Sequence, residues 1–400
     1  MDNTIPLKKI TKYSVDKIDI KFLDKTNYIT TDNMLQNKLG VEEATFMPPQ
    51  DVNVTRYKKG DILIANIRPY LKKIWYASQN GGNSADVLTI QVNDNFDSKF
   101  VYYALFRDDF FEYVMKGAKG TKMPRGDKNQ IMEFIIPNFD KTTQQKIASV
   151  LSTLDKKIEL NNKINQELEI MAKTLYDYWF VQFDFPNEDG KPYKSSGGEM
   201  VYNKELKREI PKGWEVIYLD DVLEFEKGIE PGSSNYKEIP TNKNDIPFFK
   251  VADMDGKAKT YIDKNLVQNA LVKEDDILVS FDGTVGKIAI GLNGSYSSGI
   301  RKIYQKEKLF FPKSFIYEVF KSEEIQQTIK KYATGSNILH AGSSIKNLKI
   351  AYNEKLVKQY DLIVKSIFKK LIINIQQNKE LSNLRDWLLP MLMNGQVKVR

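Results

Sequence analysis

The chain has 400 residues, 41% of them apolar, enough to fill the cores of two ordinary domains with helices to spare. Lysine and arginine total 60 against 52 acidic residues, a formal charge of +8 and a pI near 9.0 that suits a polyanionic partner. No cysteine is present, which excludes disulfides and thiolate metal sites. No apolar run approaches membrane-spanning length and Met1 to Lys9 lacks the pattern of a signal peptide, so a cytoplasmic protein is expected.

In chain order, Lys59, Gly60 and Asp61 lead into Ile62, Leu63 and Ile64, whose unbroken apolar run predicts a buried strand. Phe100 to Met115 predicts a helix. A basic, glycine-rich loop follows, in which Lys116, Lys119, Lys122, Arg125 and Lys128 recur around Gly117, Gly120 and Gly126. The next helix has an apolar spacing that alternates four and three residues through Ile147, Leu151, Leu154, Ile158, Asn161, Asn165, Leu168, Ala172, Leu175 and Trp179. That is a coiled-coil seam with two asparagines in it. Thr142 and Gln145 offer a capping box for its start, and the aromatic run from Tyr176 to Phe185, ended by Pro186, marks its close.

After a connector rich in Gly, Ser, Lys and Glu, Trp214 opens a second copy of the same plan. Asp276, Ile277, Leu278 repeats Asp61, Ile62, Leu63; Lys287, Ile288 repeats Lys73, Ile74; Gly335, Ser336 repeats Gly120, Thr121; Phe248 to Met254 parallels Tyr28 to Met34. Phe315 to Tyr332 again predicts a helix, and a second seam runs through Tyr360, Val364, Ile367, Leu371, Asn374, Asn378, Leu381, Arg385, Leu388 and Leu392. Asn353 is its expected cap, Pro390 should end or kink it near Leu389, and Gly395 is a plausible stop. The expected segments are a first head over 1–141, a helix over 142–182, a connector over 183–213, a second head over 214–352 and a second helix over 353–400. The fold class is α+β: two homologous mixed heads and two long helices paired as an antiparallel coiled coil, with an internal pseudo-twofold repeat.

In a fully overlapped antiparallel pair, Asn161 faces Asn378 and Asn165 faces Asn374. Buried amides in a seam cost stability but set register, because a slip strands each of them against leucine. The first helix, about 33 residues, would be roughly 50 Å long. Heads at its two ends would stand about one to one and a half turns of B-DNA apart.

Catalytic chemistry is hard to find. His340 is the only histidine, so no second imidazole can share a metal or an acid–base role. Asp282, Gly283, Gly286 and Lys287 lack the glycine spacing and the hydroxyl residue of a phosphate loop. The only Pro-Pro pair, Pro48 and Pro49, lacks the flanking residues an amino-methyltransferase needs. No catalytic or metal residue is assigned.

Two similar heads held by a rod in a basic chain suit a double-stranded DNA with two short, unlike target sequences. For DNA contacts the first head offers Lys119, Gly120, Thr121, Lys122, Arg125 and Lys128, with Arg68 and Lys72 after the strand. Arg125 is the expected base reader, since a guanidinium grips guanine with two hydrogen bonds, while the lysines neutralise phosphates. The second head offers Gly335, Ser336, Asn337 and His340, with Lys287, Arg301 and Lys302 on other loops. The alternative is a coiled-coil scaffold whose heads bind proteins.

Over essentially its whole length the chain resembles the specificity subunit of type I restriction and modification systems. The resemblance rests on the two Asp-Ile-Leu strands, the Gly120, Thr121 and Gly335, Ser336 turns, Gln144 to Ala148, Asn161, the Leu175 to Pro186 run, Ile210 to Trp214, and Leu392 to Gly395. It implies that each head recognises half of a split DNA site, and that the helices set the spacing and dock two methyltransferase subunits. Motor and nuclease restriction subunits join that core. S-adenosylmethionine, ATP and Mg2+ then belong to the partners, with no cofactor in this chain. Phe180, Trp387 and Leu388 are the expected docking residues. Arg385 departs from the family pattern, as does Lys358, Gln359, Tyr360 where the first helix has a glutamine pair.

Overall fold

The computed structural model describes residues 4–49, 52–306, 309–336 and 338–399. The chain divides into two compact units: Met1–Ile158 with Glu380–Arg400, and Glu159–Lys379.

In the first unit, the run Ile62–Ala65 is buried on both faces, as its unbroken apolar character requires. Ile62 and Ile64 pack with Phe100, Val101 and Leu105, while Leu63 and Ala65 point the other way, toward Ile29, Met34 and Tyr57. The strand sits inside an antiparallel sheet ordered Thr11–Tyr13, Val87–Val92, Ile62–Ala65, Ile74–Tyr76. Its entry turn is closed by Asp61, whose Oδ2 accepts from the Lys58 N–H at 2.8 Å. The second unit repeats each step. Ile277–Ser280 is wholly buried, and Asp276 Oδ2 accepts from the Lys273 N–H at 2.9 Å. The repeated aspartates are therefore turn-closing residues.

A second four-stranded sheet shows where the copies diverged. In both units a parallel pair, Tyr28–Ile29 with Gly81–Asn83 and Asp245–Phe249 with Gly294–Tyr296, is extended by an antiparallel strand, Asn53–Tyr57 or Leu271–Val272. The fourth strand is added at opposite edges: Lys17–Asp19 pairs with Asn53–Tyr57, whereas Thr260–Asp263 pairs with Asp245–Phe249.

The helices predicted over Phe100–Met115 and Phe315–Tyr332 are each two helices. Ser98–Phe106 and Asp108–Lys116 meet at Arg107, and Lys313–Lys321 and Glu323–Lys331 meet at Ser322, both junction residues being extended. Asp108, Asp109, Glu323 and Glu324 open the second helix of each pair, where carboxylates favour a helix N-terminus over a helix interior.

The long helices span Lys141–Tyr176, continued by a π-turn over Asp177–Val181, and Glu354–Met393. The start of the first is capped by Asp140 and not by the Thr142–Gln145 box. Its carboxylate accepts from the Thr143 N–H at 3.0 Å and from the Thr143 hydroxyl at 2.6 Å. Gln144 ties that start to the head: its Oε1 accepts from the Asp97 N–H at 2.8 Å, its Nε2 donates to the Phe139 carbonyl at 2.7 Å. Asn353 does cap the second helix, accepting from the Leu356 N–H at 3.1 Å. Pro390 does not end it. The helix continues through it to Met393. Gly395, at φ +69°, closes it with N–H bonds from Gly395 to Leu392 and from Gln396 to Met391.

Within the second unit the helix segments run antiparallel, and the asparagines meet as the seam predicts. Asn161 Nδ2 donates to Asn378 Oδ1 at 2.9 Å and to Gln377 Oε1 at 2.8 Å; Asn374 Nδ2 donates to Asn165 Oδ1 at 2.8 Å; Asn378 Nδ2 donates to Asn162 Oδ1 at 2.7 Å. Asn161 and Asn374 are fully buried. Within the first unit, Ile147 and Leu151 share one core with Leu389, Leu392 and Met393.

Candidate nucleic-acid interface

The basic loop of the first unit is a small clamp. Lys119 and Arg125 exchange both backbone hydrogen bonds at 2.9 Å, which forces the intervening residues into a tight reversal with Gly120 at φ +93°. The clamp is stitched to the loop after the central strand: the Arg68 N–H donates to the Pro124 carbonyl at 2.8 Å, and the Gly126 N–H to the Asn66 carbonyl at 3.0 Å. Lys119, Thr121, Lys122, Arg125, Lys128 and Arg68 are all exposed. Sequence reasoning therefore grouped residues that the fold does bring together. Lys72 is turned aside, pairing with Asp108 at 2.9 Å.

The second unit builds the same clamp. Thr334 and His340 exchange backbone bonds at 3.0 and 2.7 Å, the Gly283 N–H donates to the Leu339 carbonyl at 2.8 Å, and the Ala341 N–H to the Phe281 carbonyl at 2.7 Å. Gly335 stands at φ +115°, where a Cβ would come 2.1 Å from the Ile338 carbonyl oxygen, so only glycine fits. Ser336 and His340 are exposed; Asn337 lies outside the described residues. Lys287 is half-buried on the neighbouring hairpin, whose strand exit explains why Asp282 to Lys287 is no phosphate loop. Two expected contacts are turned inward. The Arg301 guanidinium donates to the Ser298 and Ile300 carbonyls at 2.5 and 3.2 Å, and Lys302 Nζ lies 3.0 Å from both Glu226 and the Leu271 carbonyl. Both sit on strand Ile300–Gln305, whose pairing on either side leaves them little solvent.

Four further residues escaped the sequence reading. Arg125 Nη2 is held by Asp86 Oδ1 at 3.0 Å, and His340 Nδ1 by Asp282 Oδ1 at 2.7 Å. Met123 and Ile338, 50% and 58% exposed, occupy matching positions in the two reversals. Only a pairing of loop with loop finds them, since the acids lie far away in sequence.

Of the expected docking residues, Phe180 is buried. It packs in the second unit against Phe315 at 4.9 Å and against Tyr176 and Tyr360 at 5.4 Å, because the π-turn rotates the aromatic run inward. Trp387 is 58% exposed, and Leu388 is half-buried against the first unit's core. Among the described residues no cluster of acidic or histidine side chains could hold a metal, and no helix is long and apolar enough to cross a membrane.

A duplicated α+β head, a matching glycine-bearing clamp in each copy and long paired helix segments define a duplicated recognition protein. The model of the type I restriction modification DNA specificity domain matches residues 5–170 and 211–383, and the chain belongs to that family. The HindI specificity subunit of Haemophilus influenzae is 25% identical, with 95% of this chain and 96% of that protein aligned. The MjaIX specificity subunit of Methanocaldococcus jannaschii is 27% identical over 90% of this chain and 83% of its own length. The fold is also that of the S subunit of a type I restriction-modification system from M. genitalium, at a TM-score of 0.53 and 17% identity, covering 98% and 95% of the two chains.

Proposed function

We propose that this chain is the DNA sequence-recognition subunit of a type I restriction-modification enzyme, each head reading one half of an asymmetric bipartite site. The observation that carries this reading is the family match across both copies, coinciding with a clamp of the same backbone geometry in each. Lys119, Lys122 and Lys128 neutralise phosphates, Arg125 and His340 meet base edges, and Met123 and Ile338 offer apolar contact to thymine methyls or base steps. The chain performs no chemistry itself. S-adenosylmethionine, ATP and Mg2+ are held by methyltransferase and restriction partners, which the helices dock and space.

The test is to co-express the chain with its methyltransferase partner and map the modified adenines. Two short, unlike sequences at a fixed gap are expected. Modification without sequence preference, or at one uninterrupted sequence, overturns the reading.

A further inference from the structure

The nitrogen-bearing side chain at the base of each clamp, Arg125 or His340, is held by a carboxylate that reaches the same place from a different strand. In the first head the acid is Asp86, whose carbonyl accepts from the Asn66 N–H at 2.8 Å. The matching position in the second head is Gly299, whose carbonyl accepts from the Phe281 N–H at 2.9 Å. Gly299 has no side chain to offer. The acid comes instead from Asp282, which bridges His340 as Ile67 bridges Arg125 in the first head. A Cβ on Gly299 would stand 3.3 Å from the Asp282 Cβ, a tight approach that the absence of a side chain at Gly299 avoids. Two copies that diverged at both positions have thus arrived at one carboxylate facing one side-chain nitrogen donor.

Stability does not account for this. Arg125 and His340 side chains are 61% and 62% exposed, and ion pairs so placed are worth roughly 0–1 kcal/mol. The clamps are already closed by backbone bonds. What the acid does fix is direction. Asp86 accepts from Nη2 of the exposed guanidinium and leaves its other donors for a base. Asp282 can only accept, so His340 Nδ1 carries the proton, and in the neutral ring Nε2 is left as an outward acceptor.

Resting on the reading of the clamps as DNA contacts, we infer that Asp86 and Asp282 are positioning residues for base recognition, one per half-site. Holding a long side chain in its reading rotamer before DNA arrives lowers the ordering cost of binding. It also gives the heads different letters: a guanidinium suits guanine O6 and N7, an Nε2 acceptor suits the exocyclic amino group of adenine or cytosine.

The experiment uses the full chain with its methyltransferase and reads modification over a library in which every base of both half-sites is varied. Asp86→Asn should relax discrimination at one base of one half-site by about tenfold and leave the other half-site unchanged. Asp282→Asn should do the converse. Moving the acid within the first head, Asp86→Gly with Ile67→Asp, should restore discrimination by copying the second head's arrangement. His340→Arg should shift one base of its half-site toward guanine. Unchanged discrimination in both aspartate variants, or a uniform loss at every sequence that the relocated acid does not rescue, overturns the inference. Neither result touches the recognition role, which stands or falls on whether the unaltered chain directs modification to a bipartite site at all.

Discussion

Arg385 Nη1 donates to Asp155 Oδ1 at 2.8 Å, with the guanidinium 4.7 Å over the Phe106 ring. This pair resolves the one charged position in the apolar seam. Asp155 also accepts from the Tyr103 hydroxyl at 2.5 Å, so the charge enters a complete network. Removing the arginine leaves a carboxylate largely out of water. Arg385→Leu should cost about 2–3 kcal/mol in denaturant unfolding, less than a fully buried pair because Asp155 keeps some solvent. Adding Asp155→Leu should return most of that loss, and a double variant no better than the single one would disprove the coupling.

The asparagine ladder makes a different prediction. Asn161→Leu alone should destabilise by about 1–2 kcal/mol, because the half-buried Asn378 loses its donor from the buried Asn161 position. Leucine at Asn161, Asn165, Asn374 and Asn378 together should raise the unfolding midpoint while admitting slipped pairings. Disulfide trapping between cysteines placed at matched and slipped positions would reveal them. A quadruple variant that traps only the native pairing removes the asparagines' role in register.

Much of this was legible in the sequence, for physical reasons. A period near 3.5 residues fixed both seams, and unbroken apolar runs marked the central strands at Ile62 and Ile277, since a strand covered on both faces has no alternation to show. What stayed hidden depended on contacts between distant segments. The Asp86 and Asp282 carboxylates serve loops they do not adjoin, the π-turn that buries Phe180 has no period of its own, and strand pairing alone turns Arg301 and Lys302 inward. Backbone capping also misled: Asp140 lies just before the box that Thr142 and Gln145 advertise, and a carboxylate caps as well as a hydroxyl.

The aromatic residues at the helix ends separate cleanly. Phe180→Ala should cost about 3–5 kcal/mol by opening a cavity among Tyr176, Phe315 and Tyr360. Trp387→Ala should leave the unfolding midpoint within about 0.5 kcal/mol of the parent and weaken capture of the methyltransferase subunit. Equal destabilisation by both, or undiminished capture with Trp387→Ala, would remove Trp387 from the docking surface.

Within the first clamp the two kinds of cation should behave differently. Lys122→Ala should weaken DNA binding by a similar factor for all sequences and reduce the dependence of log affinity on log salt by about one. Arg125→Ala should cost about 1–3 kcal/mol against the preferred base only. Affinities over matched and mismatched duplexes at several salt concentrations measure both. Sequence-selective loss with Lys122→Ala would reverse the assigned roles.

Glu318 sets the expected pH dependence of the second unit. It is 2% exposed, and its Oε2 has no hydrogen-bond partner among the described residues. Burial pushes its carboxyl up to about 7; Lys321 opposes the shift, Glu169 and Asp177 add to it, and Lys173 opposes. The unfolded chain releases this proton near the ordinary value of 4.5, so between there and about 7 the folded state binds more protons than the unfolded one. Stability from this group is therefore intact below the unfolded value and lost as pH rises through the folded one, by roughly 3 kcal/mol in all. Glu318→Gln keeps the shape without the charge. It should flatten the fall between pH 5 and pH 8 and leave the variant more stable than the parent at pH 8. Denaturant midpoints at the two pH values decide it, and a parental slope retained in the glutamine variant would place the titration on another group.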